Sequence, residues 1–286
     1  MEKAGGVIYS DKESFEKKLK AMKEGGAERL HVLSDFDRTL TTAFVDGESR
    51  PSLISVLRDG HYLTSEYAAK AHELFNKYHP IEVNPDISIE EKKKAMKEWW
   101  ETHFELLLRS GLNKRDLEAV INSEKIKLRD GVGEFLELLH KIGIPLVILS
   151  STGLGGDAIF SYLEHAGRLY KNTHVIANFF KWDREGRAVD YSRPVIHGMN
   201  KDETAISGFP KTYKAVVERK NVLLLGDSLG DLGMIEGFNF DNLIKIGFLN
   251  EDEEKLMQVY KEAYDVIITG DGNFEEVNRI LKEIIR

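Results

Sequence analysis

The feature that most limits the possible folds of this chain is a short apolar run that recurs between helix-like segments and ends in polar residues or glycine. Such runs have the length of buried strands, and their alternation with helices favours a mostly parallel sheet covered on both faces. The sequence therefore predicts an α/β fold. The predicted strands are Leu30–Ser34, Pro145–Ser150, Val222–Gly226, Leu243–Gly247 and Asp265–Thr269.

Two insertions interrupt this alternation. Between about residues 50 and 124 only helical periodicity is found, which predicts a helical cap inserted after the first strand, over the active end of the sheet. We therefore expect a Rossmann-like three-layer core at residues 1–48 and 125–286 and a cap for substrate specificity at residues 49–124. The predicted cap helices are Thr64–Tyr78, one that opens at the capping box Ser88–Glu91, and one that starts at Asn113–Val120. The second insertion, Val175–Val189, has a turn at Asp183–Gly186 and predicts a β-hairpin.

Charge and composition restrict the partners of the chain. Its 286 residues include 40 Lys and Arg against 48 Asp and Glu, a formal charge of −8, which does not favour a nucleic-acid polymer as partner. The absence of cysteine excludes disulfides, thiolate zinc sites and cysteine nucleophiles. No apolar run approaches the ~20 residues that span a bilayer. We expect a cytoplasmic protein without a membrane partner, and a monomer.

Two carboxylates directly follow the first predicted strand. Asp35 and Asp37 are two residues apart, so in extended chain they project to the same side. Adjacent carboxylates repel each other, which favours a bound cation or the protonation of one of them. Both arrangements suit phosphoryl transfer, in which one carboxylate attacks phosphorus while the other protonates the leaving oxygen.

Further polar residues follow other predicted strands. Asp227 and Asp231 add two carboxylates, and hard oxygen ligands of this kind suit Mg²⁺. Ser150 and Ser151 end another strand, and Lys201 follows Ile196–Asn200. A hydroxyl and an ammonium are suited to the remaining oxygens of a phosphate. Each residue alone is usually a helix cap, a turn former or a surface residue, but four such features at strand ends indicate a site.

Two other motifs were weighed and set aside. Gly226–Gly230 fits the nucleophile elbow of α/β-hydrolases, but no histidine follows Ser228. Gly153–Ala158 fits a loose dinucleotide-binding pattern, but the acidic residue expected about twenty positions later is not clearly present.

At these residues the sequence resembles the haloacid dehalogenase-like phosphatases. Their four motifs correspond here to Asp35–Thr39, to Ser150 or Ser151, to Lys201, and to Gly226–Asp231. The sequence is more similar still to the cytosolic pyrimidine 5′-nucleotidase (type III) family, from about Leu33 to the C-terminus. The segments that carry this second resemblance are Tyr78–Pro85, Glu98–Trp100, Ile196–Lys201 and Ile244–Asn250.

The resemblance implies roles for the four carboxylates. Asp35 would be the nucleophile and a magnesium ligand. Asp37 would be the acid/base, and its backbone carbonyl would also contact the metal. Asp227 would complete the protein ligands of Mg²⁺, with Asp231 in support.

The resemblance also implies the residues that hold the substrate, a nucleoside 5′-monophosphate. Ser150 and Lys201 would hold the phosphate, and Glu82 would face the base. The chain departs from the family twice. Ser150-Ser151-Thr152-Gly153 is one residue longer than the usual Ser-Ala-Gly, which leaves either serine open as the phosphate ligand. His103 stands where a small residue is expected near the base.

The sequence thus predicts a Mg²⁺-dependent 5′-nucleotidase that acts through a phospho-aspartate, most readily on pyrimidine nucleotides. The alternatives are a phosphatase of another small phosphomonoester or of 7-methylguanosine monophosphate, a nucleoside phosphotransferase, and, more remotely, a non-catalytic binder of nucleotide or Mg²⁺. The helix that carries Trp99, Trp100, Phe104 and Leu107 has an aromatic stripe, which is more often core than ligand platform.

Overall fold

The computed structural model describes residues 6–49, 52–84, 86–201, 208–236 and 239–286. Its strands are β1 (Val7–Tyr9), β2 (Leu30–Ser34), β3 (Phe44–Val45), β4 (Glu48–Ser49), β5 (Leu146–Leu149), β6 (Thr173–Ile176), β7 (Phe180–Trp182), β8 (Ala188–Tyr191), β9 (Asn221–Gly226), β10 (Asn242–Leu249) and β11 (Val266–Thr269). Its α-helices are α1 (Lys12–Gly25), α2 (Leu53–Asp59), α3 (Ser65–Val83), α4 (Ile89–Arg109), α5 (Lys114–Asn122), α6 (Val132–Ile142), α7 (Gly156–His165), α8 (Pro210–Val216), α9 (Glu253–Ala263) and α10 (Glu275–Ile284). Two 3₁₀ segments, Ala27–Arg29 and Leu229–Ile235, complete these elements.

Seven strands form one sheet in the order β1-β11-β10-β9-β2-β5-β6. Every pair in it is parallel except β1–β11, which is antiparallel. Strands β2, β5, β9 and β11 are buried along their whole length, as expected for strands covered on both faces. The predicted α/β class with a mostly parallel sheet is confirmed, and all five predicted strands are present.

The N-terminal part of the chain was not anticipated. Val7–Tyr9 forms an edge strand that pairs with Val266–Ile268, so Leu30–Ser34 is the second strand of the chain and not the first. Three residues are too few to display a strand period, and Val7 is exposed, so no apolar pattern marks this strand in the sequence. Helix α1 follows, with Phe15 and Met22 fully buried.

The predicted hairpin over Val175–Val189 was wrong in extent. Val175 lies in β6, the seventh strand of the sheet, because it pairs with β5. The hairpin is formed by the later strands β7 and β8, with its turn at Asp183–Gly186 as predicted. The error arose because the apolar end of β6 and the start of the hairpin are only a few residues apart.

Four helices, α2 to α5, lie between residues 53 and 122. The capping box at Ser88 and Glu91 opens α4 as predicted. Helix α3 is longer than predicted, because it continues through Pro80 to Val83. Because a proline inside a helix removes one backbone hydrogen bond, the prediction ended this helix at Tyr78, before Pro80. Within the described ranges, no helix is both long and apolar enough to cross a membrane.

The order of the central strands decides where the polar residues meet. Strand β2 lies between β5 and β9, and Ser34 is in register with both Ile148 and Leu225. The residues that follow these three parallel strands therefore lie side by side at the carboxyl edge of the sheet, where ligands bind in open α/β folds.

Candidate active site

Three carboxylates converge at this edge. The Asp35 N–H donates to the Leu225 carbonyl at 3.0 Å, which holds the residue at the tip of β2 and next to β9. Carboxylate oxygens of Asp35, Asp227 and Asp231 lie within 4.8 Å of one another. Asp37 turns toward the start of α2, where its Oδ1 accepts from the Leu53 N–H at 3.4 Å. Three of the four predicted carboxylates are therefore brought together, and the fourth, Asp37, lines the same cavity.

Lys201 lies among these carboxylates and is buried with them. Its Nζ is 2.5 Å from Asp35 Oδ1 and 2.8 Å from Asp231 Oδ1. The other oxygen of Asp231 accepts from the backbone N–H groups of Asp227 and Ser228 and from the Ser228 hydroxyl. Both oxygens of Asp231 are thus engaged within the protein, so this residue fixes Lys201 and the loop that carries Asp227.

The crowding of buried carboxylates changes their protonation. Burial raises the pKa of Asp35 to about 6, against the opposing charge of Lys201. Burial, followed by the charge of Asp35, raises the pKa of Asp37 to about 7. Burial and the charges of Asp231 and Asp35 raise the pKa of Asp227 well above its usual range. The raised pKa lets Asp37 hold and release a proton near neutral pH, as an acid/base requires.

Arg129 fixes the loop that carries Asp37, a role that sequence reasoning missed. The guanidinium is buried and donates to the carbonyl oxygens of Arg38 and Thr39, and to Asp271 Oδ1 at 2.7 Å. Asp271 in turn accepts from the Ala43 and Phe44 N–H groups. The loop after Asp37 is thus held by Arg129 at its start, Arg38–Thr39, and by Asp271 at its end, Ala43–Phe44. The guanidinium also donates to the Gly272 carbonyl and to Asn250 Oδ1, so its partners are three backbone carbonyls and two side chains. All of them are distant from Arg129 in the sequence, and no local motif could have indicated the contact.

The loop after β5 forms another wall. Ser150 is buried, and its Oγ accepts from the Thr152 N–H at 3.2 Å. The Ser151 carbonyl accepts from Trp100 Nε1 at 2.8 Å, which ties this loop to α4. Thr152, which was not predicted as a site residue, is buried in the wall of the same cavity as Asp37.

One cavity of about 240 Å³ contains most of the predicted residues. Glu82 reaches it from α3, and a methyl group placed on Gly198 would lie only 3.2 Å from Glu82 Oε1. His103 lines a separate cavity of about 60 Å³. The predicted residues that line the larger cavity are Asp35, Asp37, Glu82, Ser150, Ser151, Lys201, Asp227 and Asp231.

The aromatic stripe of α4 divides between two roles. Phe104 and Leu107 are fully buried in the core, as the commoner interpretation of such a stripe predicts. Trp100 lines both cavities, and Trp99 lines the smaller one. The two indole rings meet edge to face, with their centroids 4.9 Å apart. Aromatic surface is therefore available beside the carboxylate cluster.

The donor set fits a hard divalent cation. Asp35 and Asp227 offer carboxylate oxygens on neighbouring strands, and burial disfavours their charged forms unless a cation compensates. Arg38 Nε lies 3.5 Å from Asp227 Oδ2 and supplies part of this compensation. The acidic cluster is thus able to bind a metal ion.

The fold is the α/β fold of the haloacid dehalogenase-like proteins. The fold matches that of a phosphoserine phosphohydrolase-like protein from Francisella tularensis, with a TM-score of 0.53, 16% identity and coverage of 87% of this chain and 98% of the other. The chain belongs to the pyrimidine 5′-nucleotidase (UMPH-1) family, whose model matches residues 38–285. It is accordingly a phosphoric monoester hydrolase of the 5′-nucleotidase type, which confirms the resemblance seen in the sequence.

The chain is also similar to individual nucleotidases along most of its length. A 7-methylguanosine phosphate-specific 5′-nucleotidase of Gallus gallus is 34% identical and is aligned over 93% of this chain and 92% of its own length. A putative cytosolic 5′-nucleotidase 3 of Caenorhabditis elegans is 33% identical over 96% of this chain and 74% of its own. The solved structure of cytosolic 5′-nucleotidase IIIB bound to cytidine is 30% identical, with a TM-score of 0.89 and coverage of 97% and 93%.

Proposed function

We propose that this protein hydrolyses nucleoside 5′-monophosphates to nucleoside and phosphate through a phosphorylated Asp35. The observation that carries the proposal is a single cavity that joins Asp35, Asp37 and Lys201 to a carboxylate from the helical segment, Glu82. The first three are the groups that phosphoryl transfer needs. Glu82 is placed to contact a part of the substrate that lies away from the phosphate.

The reaction has two steps. An Asp35 carboxylate oxygen attacks phosphorus, the bond from phosphorus to the 5′-oxygen breaks, and that oxygen takes the proton from Asp37. Asp37 then accepts a proton from water, whose oxygen attacks phosphorus and breaks the acyl-phosphate bond, which restores both carboxyl groups. Lys201, held by Asp35 and Asp231, lies where it stabilises the negative charge of the phosphoryl group. Ser150 and Ser151 are candidate donors to its other oxygens.

Mg²⁺ is the cofactor we assign to the carboxylates. When bound, it neutralises charge on the phosphate and on the carboxylates that surround it. Asp35, Asp227 and the Asp37 backbone carbonyl would hold it. Asp231 supports this set without being a free ligand, since both of its oxygens are bonded within the protein.

We also propose that the chain has two domains with different functions. Residues 1–48 and 125–286 form the catalytic core, and residues 49–124 form a cap for substrate specificity. Two observations support this division: the Trp100 indole donates to the Ser151 carbonyl, and Glu82 lines the same cavity as Asp35. A cap closed in this way excludes bulk water during phosphoryl transfer.

Replacing Glu82 by Ala is expected to lower kcat/KM on the preferred nucleotide by at least about tenfold, because a hydrogen bond that involves a charged group is worth roughly 1.5–3 kcal/mol. Hydrolysis of ribose 5-phosphate, which has the same sugar phosphate and no base, should change little. The measurement compares both substrates on both proteins under identical conditions.

Glu73→Ala is the matched control, since Glu73 is an exposed carboxylate on the same helix. It should leave both rates unchanged. Equal losses on the two substrates in Glu82→Ala would show that Glu82 supports the fold or the chemistry. If neither rate changed, Glu82 would have no part in base recognition.

A further inference from the structure

A second, smaller cavity adjoins the catalytic one. Its volume is about 60 Å³, and it shares Ile54, Trp100 and Gly153 with the larger cavity, so the two cavities meet at these residues. A space of this size admits an exocyclic group or part of a ring edge. Two polar side chains, Arg58 and His103, complete its wall together with the apolar surface of Ala71 and Trp99.

His103 presents an unsatisfied nitrogen to this wall. Its Nε2 is buried and has no hydrogen-bond partner among the described residues. It lies close to the backbone at Gly153, where an added methyl group would be only 3.3 Å away. Burial, followed by the charge of Arg58, lowers the pKa of His103 to about 4, so the ring is neutral at neutral pH. A buried polar nitrogen without a partner is costly unless a ligand bonds to it.

Arg58 supplies a fixed positive charge at the same place. Its side chain is only 16% exposed and lies over the Phe75 ring, with Cζ 4.9 Å from the ring centroid. Its Nε and Nη2 donate to Asp59, and Nη1 has no hydrogen-bond partner in the described part of the chain. Asp59 itself is exposed and is shared with His72 at 3.3 Å. The two N–H groups of Nη1 thus remain for an oxygen acceptor.

The two bases named with the relatives, 7-methylguanine and cytosine, differ in charge. Methylation at N7 leaves the imidazole ring of guanine with a delocalised positive charge, whereas cytosine, like uracil, is neutral and carries a carbonyl oxygen. The Arg58 guanidinium lines this cavity, so a positive charge on the ligand would lie beside a fixed positive charge of the protein. Asp59, the carboxylate next to Arg58, is paired with it on the exposed side and does not cancel this effect inside the cavity.

We propose that Arg58 and His103 form a base-edge subsite that accepts a carbonyl oxygen of a neutral base and selects against the cationic 7-methylguanine base. The proposal rests on the proposed function, since it names the substrate class of that site. It makes uridine monophosphate a better substrate than 7-methylguanosine monophosphate.

The experiment measures kcat/KM for uridine monophosphate, 7-methylguanosine monophosphate and ribose 5-phosphate on three proteins. Wild type should prefer uridine monophosphate to 7-methylguanosine monophosphate by at least about tenfold. Arg58→Met keeps the apolar stem over Phe75 but removes the charge, and should reduce that preference by at least about fivefold. Arg58→Lys keeps the charge and should retain most of the preference. Ribose 5-phosphate hydrolysis should be the same in all three proteins, which also reports a folded active site.

Three results would overturn the proposal: a wild-type rate on 7-methylguanosine monophosphate that equals or exceeds that on uridine monophosphate, an unchanged preference in Arg58→Met, or an equal loss of preference in Arg58→Lys and Arg58→Met. Each leaves the nucleotidase function in place. Failure to hydrolyse any nucleoside monophosphate while ribose 5-phosphate is cleaved would instead refute the proposed function.

Discussion

Replacing Asp35 by Asn is expected to lower kcat for phosphate release by at least about 10³-fold, the order of loss seen when a nucleophile is removed. An amide oxygen is a poor nucleophile, and it cannot form the acyl phosphate on which the second step depends. The fold should survive, because the Asp35 N–H bond to the Leu225 carbonyl does not involve the side chain. The measurement is steady-state phosphate release, with circular dichroism as the check on folding.

Asp46→Asn makes the same chemical change outside the site and serves as the matched control. Its side chain is 85% exposed and is 3.6 Å from Lys127 Nζ. Its activity should equal that of wild type. An Asp35→Asn protein that kept more than a few per cent of wild-type turnover would exclude Asp35 as the nucleophile.

Removal of divalent metal is expected to abolish turnover, and Mg²⁺ to restore it, because buried carboxylates alone repel an anionic substrate. Asp227→Asn should raise the Mg²⁺ concentration for half-maximal activity by at least about tenfold, since one charged ligand is lost. The measurement is a Mg²⁺ titration of phosphate release after chelation. A normal titration in Asp227→Asn would remove this residue from the ligand set, and full activity in excess chelator would refute the metal assignment.

The same variant has a readout that does not depend on activity. Burial in the folded protein raises the pKa of Asp227, so the ionised carboxylate lowers the free energy of unfolding. This loss of stability grows as the pH rises above the pKa that Asp227 has in the unfolded chain. In chelator at pH 8, Asp227→Asn should therefore melt at a higher temperature than wild type. Mg²⁺ should raise the Tm of wild type more than that of the variant. A lower Tm for the variant in chelator would contradict the inference that burial and the charges of Asp231 and Asp35 destabilise ionised Asp227.

The parts of the fold that could be predicted are those with a local signal. Buried parallel strands are apolar along their whole length, so β2, β5 and β9 stand out in the sequence. Their carboxyl ends meet at one edge, so the residues after them could be grouped before any distance was known. The start of α4 was equally clear, because Ser88 and Glu91 satisfy each other's backbone groups.

The parts that could not be predicted depend on contacts between distant segments. Strand β1 has three residues and is stabilised by pairing with β11, which lies more than 250 residues away in the sequence. Arg129 bonds to two backbone carbonyls of the Asp37 loop and to the side chains of Asn250 and Asp271, all at least 90 residues away in the sequence. Nothing in the sequence distinguishes Arg58 from a charged surface residue. It lines the cavity of His103 because of the way α2 packs in the fold.

The most direct test of the account is to search for the phosphorylated enzyme during turnover. Enzyme mixed with uridine [5′-³²P]monophosphate and Mg²⁺ is quenched in acid within one turnover and digested. The account predicts label on the peptide that contains Asp35, removable by hydroxylamine as an acyl phosphate is, and no label in Asp35→Asn. Release of labelled phosphate without any labelled enzyme at any quench time, or label on a peptide that lacks Asp35, would contradict it.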